Sequence, residues 1–319
     1  IPHSCVSIGE YAFYQCSSYY LSMGRNVETI GVSAFQDCGS IMGPLVILNS
    51  VKAIKENAFL NCKRISYVLF GQNLVEIGDG AFENCTFKHM SSFPDGLEIL
   101  GVGAFKGCQY LSDNIVIPSK IVNISNYTFC GCKNLPSVTA NSNIEVIGEG
   151  AFSECAKLSS FNFGQRLKEI GDNAFSDCRS MISISPIPST LQYIGSQSFS
   201  GCTKLVADIV LPDAIQVIPD STFYDCKSLK SIKLGKNVQE IGNYAFFNCF
   251  DLSFSIDLST VQSIGCASFS NCTNLTGSIT FPMIIQEVPE YAFFNCPKIE
   301  SVTFSNNLTT IGLYSFYSC

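Results

Sequence analysis

The chain contains no tryptophan, only two histidines and five methionines, and 14% of its 319 residues are charged. Each shortage removes a class of function. Without tryptophan there is no indole platform for stacking a sugar ring. Cys–His or Ser–His–Asp chemistry would have to run through His3 or His89, because such chemistry needs an imidazole base. No acidic residue neighbours His89 in the sequence, so neither histidine reads as catalytic. The 19 basic residues are unclustered and outnumbered by 26 acidic ones, for a formal charge of −7. Nucleic acid would require a clustered basic footprint, so none is expected as a partner. Apolar runs such as Ile115 to Pro118 and Ile209 to Pro212 fall far short of the ~20 residues that cross a bilayer. There is no His-Glu-x-x-His, no EF-hand loop and no glycine-rich phosphate cradle. No catalytic residue, cofactor or metal is expected. Low charge combined with 46% hydrophobic residues excludes a disordered chain.

What the chain does have is seventeen cysteines, and fourteen of them keep time. They stand at 16, 38, 62, 85, 108, 132, 155, 178, 202, 226, 249, 272, 296 and 319, at intervals of 22 to 24 residues. Three residues before each is a Phe, from Phe13 to Phe316, and five before each Phe is Ile, Leu or Val, from Ile8 to Ile311. The residue preceding the Phe is always Ala, Ser or Thr. The unit reads apolar-x-x-Ile-Gly-x-x-Ala-Phe-x-x-Cys-x-x-Leu, followed by a short alternating stretch such as Ser301-Val302-Thr303-Phe304. Alternation of that kind marks a strand with one buried face. One such strand per ~23 residues cannot bury its own apolar side, whereas stacking repeats in parallel buries all of them in one core.

The rest of the unit is read locally. Asp or Glu stands three before the Phe in seven copies, which suits the start of a short helical or 3-10 turn. Asn, Asp or Gly stands two after it in eleven, which suits a left-handed ending. The Gly after the Ile cannot be there for positive φ, since Pro219 and Pro289 occupy the same column and proline holds φ near −65°. Close backbone approach is the better explanation. The expected fold is an α/β leucine-rich repeat solenoid of about 14 coils, with a parallel β-sheet on one face and short helical or 3-10 turns opposite. It forms one domain over 1–319 and reads as a stretch of a longer array.

Stretches such as Ile170-Gly171-Asp172-Asn173-Ala174-Phe175-Ser176-Asp177-Cys178 resemble the BspA-like branch of leucine-rich repeat proteins. The resemblance covers essentially the whole chain. It implies a right-handed solenoid, cell-surface or extracellular placement, and adhesion through binding of host or matrix proteins.

The ladder cysteines should be neighbours along the stack, too parallel for disulfides, and are expected as buried thiols that behave as small apolar residues. Cys5 falls in an apolar column and is expected in the core. Cys130 and Cys266 fall in outward columns, and exposed thiols sit poorly with an oxidising compartment. Asn-x-Ser/Thr sequons at Asn84, Asn123, Asn126, Asn271, Asn274 and Asn307 are about as many as chance allows.

Two outward surfaces remain. The strand-face column (Val46, Leu69, Ser92, Val116 and onward through Lys233 and Asp257 to Thr303) is mostly small, β-branched or uncharged, without a charge theme. The columns flanking Ala-Phe become aromatic toward the C-terminus: Tyr224, Tyr244, Phe247, Tyr291, Phe294, Tyr314 and Tyr317. Contiguous exposed rings mark an interaction surface, so these seven are the candidate partner-binding patch. The function expected is a non-enzymatic protein-interaction module, an adhesin-type array. The alternative is a structural scaffold in an intracellular or filamentous assembly, with sister subunits as partners.

Overall fold

A computed structural model describes residues 1–253 and 256–319. The chain is a parallel β-solenoid that divides into two compact units, Ile1–Gly164 and Gln165–Cys319. Each carries seven of the Phe/Cys rungs. The fourteen rungs bound about thirteen complete turns, one fewer than the spacing suggests, because the chain enters its first rung part-way round a coil.

Every paired strand is parallel. In the first unit the longer strands stack as Gly43–Val46, Ile65–Leu69 and His89–Met90, then as Ile115–Val116, Val138–Thr139 and Ser160–Asn162. In the second, Asp208–Val210 pairs with Ser231–Lys233 and Gly277–Thr280 with Ile299–Thr303. A second ladder of two-residue strands runs through the Ile column, for example Ser7–Ile8, Thr29–Ile30, Ala53–Ile54, Glu76–Ile77 and Ile99–Leu100.

The Gly column explains both the closeness of that ladder and its breaks. A Cβ on Gly31 would lie 2.6 Å from Ile8 O, and one on Gly265 would lie 2.3 Å from Asn243 N. Neither glycine has positive φ, so close approach is the reason for glycine. The same residue donates its N–H to the preceding Ile carbonyl, as Gly78 does to Ile54 at 2.8 Å and Gly242 to Ile218 at 2.7 Å. Proline has no N–H to give. Where Pro219 and Pro289 stand in this column, Val217–Ile218 and Glu287–Val288 begin new sheets. At Ser125 the side chain substitutes, donating Oγ–H to Leu100 O at 2.7 Å.

The segment opposite the strands is not helical. Among the described residues there is neither an α- nor a 3-10 helix. Each Ala-Phe segment is a run of tight turns: Ala12 N–H bonds Gly9 O, Tyr14 bonds Tyr11 O and Cys16 bonds Phe13 O. The cause is backbone handedness. Residues two before and two after every ladder Phe have φ between +51° and +73°, from Tyr11 and Gln15 to Tyr314 and Ser318. Positive φ at the third position of a turn is a type II feature and stops helical continuation. The Asn/Asp/Gly column two after the Phe announced one of these positions. The column two before it is left-handed in all fourteen coils as well, although only Asn57, Asn173, Gly80, Gly103 and Gly150 hint at it in sequence.

Left-handed residues free alternate N–H groups to point along the stack. Phe35 N–H bonds Ala58 O at 2.8 Å, and Asp37 N–H bonds Leu60 O at 2.8 Å. The aspartates in the column three before the Phe serve this stack rather than a helix dipole. Asp79 Oδ1 accepts from Val102 N at 2.7 Å, and Asp220 Oδ1 accepts from Asn243 N at 2.7 Å.

Inside, the Phe rings form one stack in each unit, with centroids 5.0–5.6 Å apart and planes within 12°. That is offset stacking between large side chains that are almost all buried, worth roughly 0.5–1.5 kcal/mol per pair beyond burial.

Two stability predictions follow from these columns. Gly265→Ala forces a Cβ into backbone and should cost about 1–3 kcal/mol, whereas Gly9→Ala, with nothing within 4 Å of its Cβ, should stay within about 0.5 kcal/mol. Ser198 and Ser268 stand in the Ala column with buried Oγ atoms that have no hydrogen-bond partner; Ser198→Ala and Ser268→Ala should each stabilise the fold by about 1 kcal/mol. Thermal unfolding of the four variants checks both.

Candidate protein-interaction surface

Function must lie on the outward columns, because the inward ones are consumed by the core. The cysteine ladder belongs to the core. Among the described residues no disulfide is present, and twelve of the seventeen cysteines are buried. They are more than apolar filler: buried ladder thiols donate to the carbonyl of the Phe one coil back, as Cys62 does to Phe35 O at 3.1 Å and Cys226 to Phe199 O at 3.1 Å. That aims each sulfur at a carbonyl and not at its neighbour. Cys5, expected in the core, is half-buried and donates to Ser7 O, since no coil covers it. Cys130 and Cys266 are half-buried rather than open. Burial pushes both thiols up, with Glu154 adding at Cys130 and Glu290 at Cys266.

His89 does have an acidic neighbour, one coil on. Its Nδ1 lies 2.9 Å from Asp113 Oδ1, and Asp113 Oδ2 accepts from Met90 N at 2.7 Å. The stack creates this pair between residues 24 apart, which no local reading of the sequence reveals. It is an exposed pair fixed by a backbone bond.

The strand face is exposed and carries no charge theme. Val46 and Leu69 are 40% exposed, Val116 60% and Val210 57%. In His89–Met90 the pairing of Tyr67 with His89 and Val68 with Met90 brings Ser91, not Ser92, level with Leu69. In the second unit Ile184, Pro186, Ile187, Val206 and Val210 line a shallow depression where Ser183–Ile184 and Asp208–Val210 leave the sheet unjoined.

The seven candidate rings form two clusters in the second unit. Tyr224 stacks on Phe247 at 5.1 Å, and Tyr244 meets Phe247 edge-on at 5.8 Å. Phe294 stacks on Tyr317 at 5.3 Å, and Tyr291 lies 5.5 Å from Tyr314, which in turn meets Tyr317 edge-on at 5.4 Å. The coil between them carries Ala267 and Ser270 in the same columns, and these are only 3% and 2% exposed, so the rings leave no open slot there. Tyr244, Tyr314 and Tyr317 remain 43–55% exposed, while Tyr224, Phe247, Tyr291 and Phe294 are half-buried. Tyr11 and Tyr14 of the first coil repeat the pattern, 5.7 Å apart and 53% and 42% exposed; the same columns in the sequence contain them. Tyr244, Tyr291 and Tyr314 all sit on left-handed backbone.

Protonated ladder thiols make stability depend on pH. Burial holds Cys296 up to about 12 and lifts Cys85, Cys108, Cys132, Cys249 and Cys272 well above the ordinary value, with neighbouring ladder thiols adding to the effect. An unfolded thiol titrates near 8.5. Above that pH the unfolded chain loses protons the folded chain keeps, so stability is full below about pH 8.5 and falls as pH rises, by up to roughly 1.4 kcal/mol per pH unit for each such thiol. Urea unfolding at pH 7 and pH 9.5 should show a large loss at the higher pH, and a Cys108→Ala, Cys132→Ala, Cys249→Ala chain should show a shallower one.

A family model described as the BspA type leucine rich repeat region, in six copies, matches residues 1–112, 110–209 and 203–319. A leucine-rich repeat protein from Bacteroides ovatus is 30% identical, with 98% of this chain and 80% of that one covered at a TM-score of 0.83. A leucine rich cell surface protein from Faecalibacterium prausnitzii (20% identical, 91% and 88% covered, TM-score 0.51) and the pneumococcal vaccine antigen PcpA (17% identical, 92% and 82% covered, TM-score 0.55) are similar in fold. No curated protein is similar enough in sequence to count as a match.

Proposed function

Because the chain belongs to the BspA-type leucine-rich repeat family, whose members generally serve as protein-interaction scaffolds, we propose that it is a non-enzymatic, cell-surface adhesin-type array that binds a host or matrix protein through the aromatic columns of its second unit. One observation carries this reading. Tyr244, Tyr291 and Tyr314 occupy left-handed positions that cost an L-residue about 1–2 kcal/mol, at a column where Gly80, Gly103 and Gly150 avoid that cost in the first unit and Tyr11 and Tyr127 bear it there. Rings retained against the local backbone preference, stacked on one another and left partly exposed, fit recognition better than they fit folding. Tyrosine and phenylalanine supply large contact area at low entropic cost, which is how interface anchors work.

The alternative, a scaffold inside an intracellular or filamentous assembly, is favoured by a different observation: seventeen cysteines and no disulfide among the described residues, unusual for a protein in an oxidising compartment.

Phe247→Ser combined with Phe294→Ser should lower retention of protein-coated beads on a host extracellular-matrix layer by about tenfold or more, the scale of losing one or two anchors, with unchanged circular dichroism. Unchanged retention removes the aromatic patch from the proposal. Labelling of intact source cells with a membrane-impermeant maleimide, read by mass spectrometry at Cys130 and Cys266, separates the two placements. Modification on intact cells supports the adhesin, and modification only after lysis supports the assembly.

A further inference from the structure

One outward column is built from a single residue type. Between the buried apolar residue and the Ile of five consecutive coils stand Gln192, Gln216, Gln239, Gln262 and Gln286, five of the chain's eleven glutamines. The next column over the same coils varies freely: Tyr193, Val217, Glu240, Ser263 and Glu287. Recent duplication of whole repeats would have kept both columns alike, so the amide itself is what recurs. In the first unit the equivalent column runs Val6, Glu28, Lys52, Val75, Glu98, Val122 and Glu145, and its charges pair within the chain, as Lys52 does with Glu28 at 2.8 Å.

All five glutamines are exposed, and the middle three stack through their backbones: Gln239 N–H bonds Gln216 O at 2.8 Å and Gln262 N–H bonds Gln239 O at 2.7 Å. Yet among the described residues none of the five side-chain amides makes a hydrogen bond. This chain does build closed amide ladders elsewhere. Asn248 Nδ2 donates to Asp225 at 2.7 Å, Asn271 to Asn248 at 2.9 Å and Asn295 to Asn271 at 3.0 Å. The Asn ladder is satisfied inside the molecule, and the Gln ladder is left open toward solvent.

We infer that the Gln192–Gln286 column is a docking face for a second copy of this chain, in which two glutamine ladders lie face to face and exchange side-chain amide hydrogen bonds. Three properties select that occupant. A carboxamide carries two donors and an acceptor, so a uniform glutamine column is complementary to itself. It offers no net charge for a charged partner. Its axial period, that of stacked parallel strands at ~4.8 Å, is matched coil for coil by another copy, whereas an extended peptide repeats its outward groups every ~6.8 Å and drifts out of step within two coils. Interdigitation of identical side chains is a known way for facing repetitive β-structures to hold one another. The face is narrow, so the association belongs with weak interfaces below about 1,200 Å² and is read at high protein concentration.

The test uses surface substitutions that leave the core untouched. Sedimentation equilibrium of the wild-type chain, carried up to about 0.5 mM because such small interfaces are weak, should show the mass doubling. Gln216→Glu, Gln239→Glu, Gln262→Glu together, and the corresponding triple change to Lys, should each stay at monomer mass through like-charge repulsion. An equimolar mixture of the two variants should recover the doubled mass, whichever way the ladders run. A wild-type chain that stays monomeric over the whole range, or a Glu variant that dimerises like wild type, overturns the inference. Dimerisation lost instead in the Phe247→Ser, Phe294→Ser chain assigns the contact to the aromatic columns and overturns it equally.

Discussion

The backbone of each coil rests on the one before it so closely that a methyl group on the Gly column would fall within van der Waals distance of main-chain atoms, as at Gly31 and Gly265. Everything else in the structure follows from holding that separation. Coils this near can exchange hydrogen bonds on the strand side, through the Ile column and across the turns, and each column then meets its own kind one coil away. A column must therefore hold a residue that tolerates itself as a neighbour. Phe stacks on Phe, Cys donates past Cys to a carbonyl, and Asn bonds Asn.

This constraint also accounts for the turn side of the molecule. A helix would spend its N–H groups within the coil. Two left-handed residues per coil turn alternate N–H groups along the stack instead, so the turns become a third hydrogen-bonded ladder. The exchange trades helix propensity for stacking, and it explains why Asp79, Asp172 and Asp220 bond a neighbouring coil rather than a helix N-terminus. The seven rings of the second unit lie on this turn side, three of them two before a ladder Phe and four directly after one.

The outward columns are under no comparable restraint, and there the two units differ. The first places salt-bridged or mixed residues in the column where the second places glutamine, and mostly small or polar residues where the second places Tyr and Phe. Recognition can diversify on such a frame because exposed columns do not decide whether coils stack, which is why repeat arrays of one fold serve many partners.

The repeat length, the parallel solenoid, the ladder of core columns and the packing role of glycine were legible from spacing alone. Periodicity is a statement about which residues share a column, and in a stack a column has one environment. The sequence also determined which outward columns carry rings and amides. Only the tertiary structure decided the backbone handedness at Tyr244 or Ala267, because φ at such a residue is set by the hydrogen bonds of the adjoining coils and not by its own preference. The same holds for Asp113 beside His89, for the thiol aimed at a carbonyl, and for the open state of the glutamine column. Each is a relation between residues about one coil apart, and the separation of two coils is created by folding.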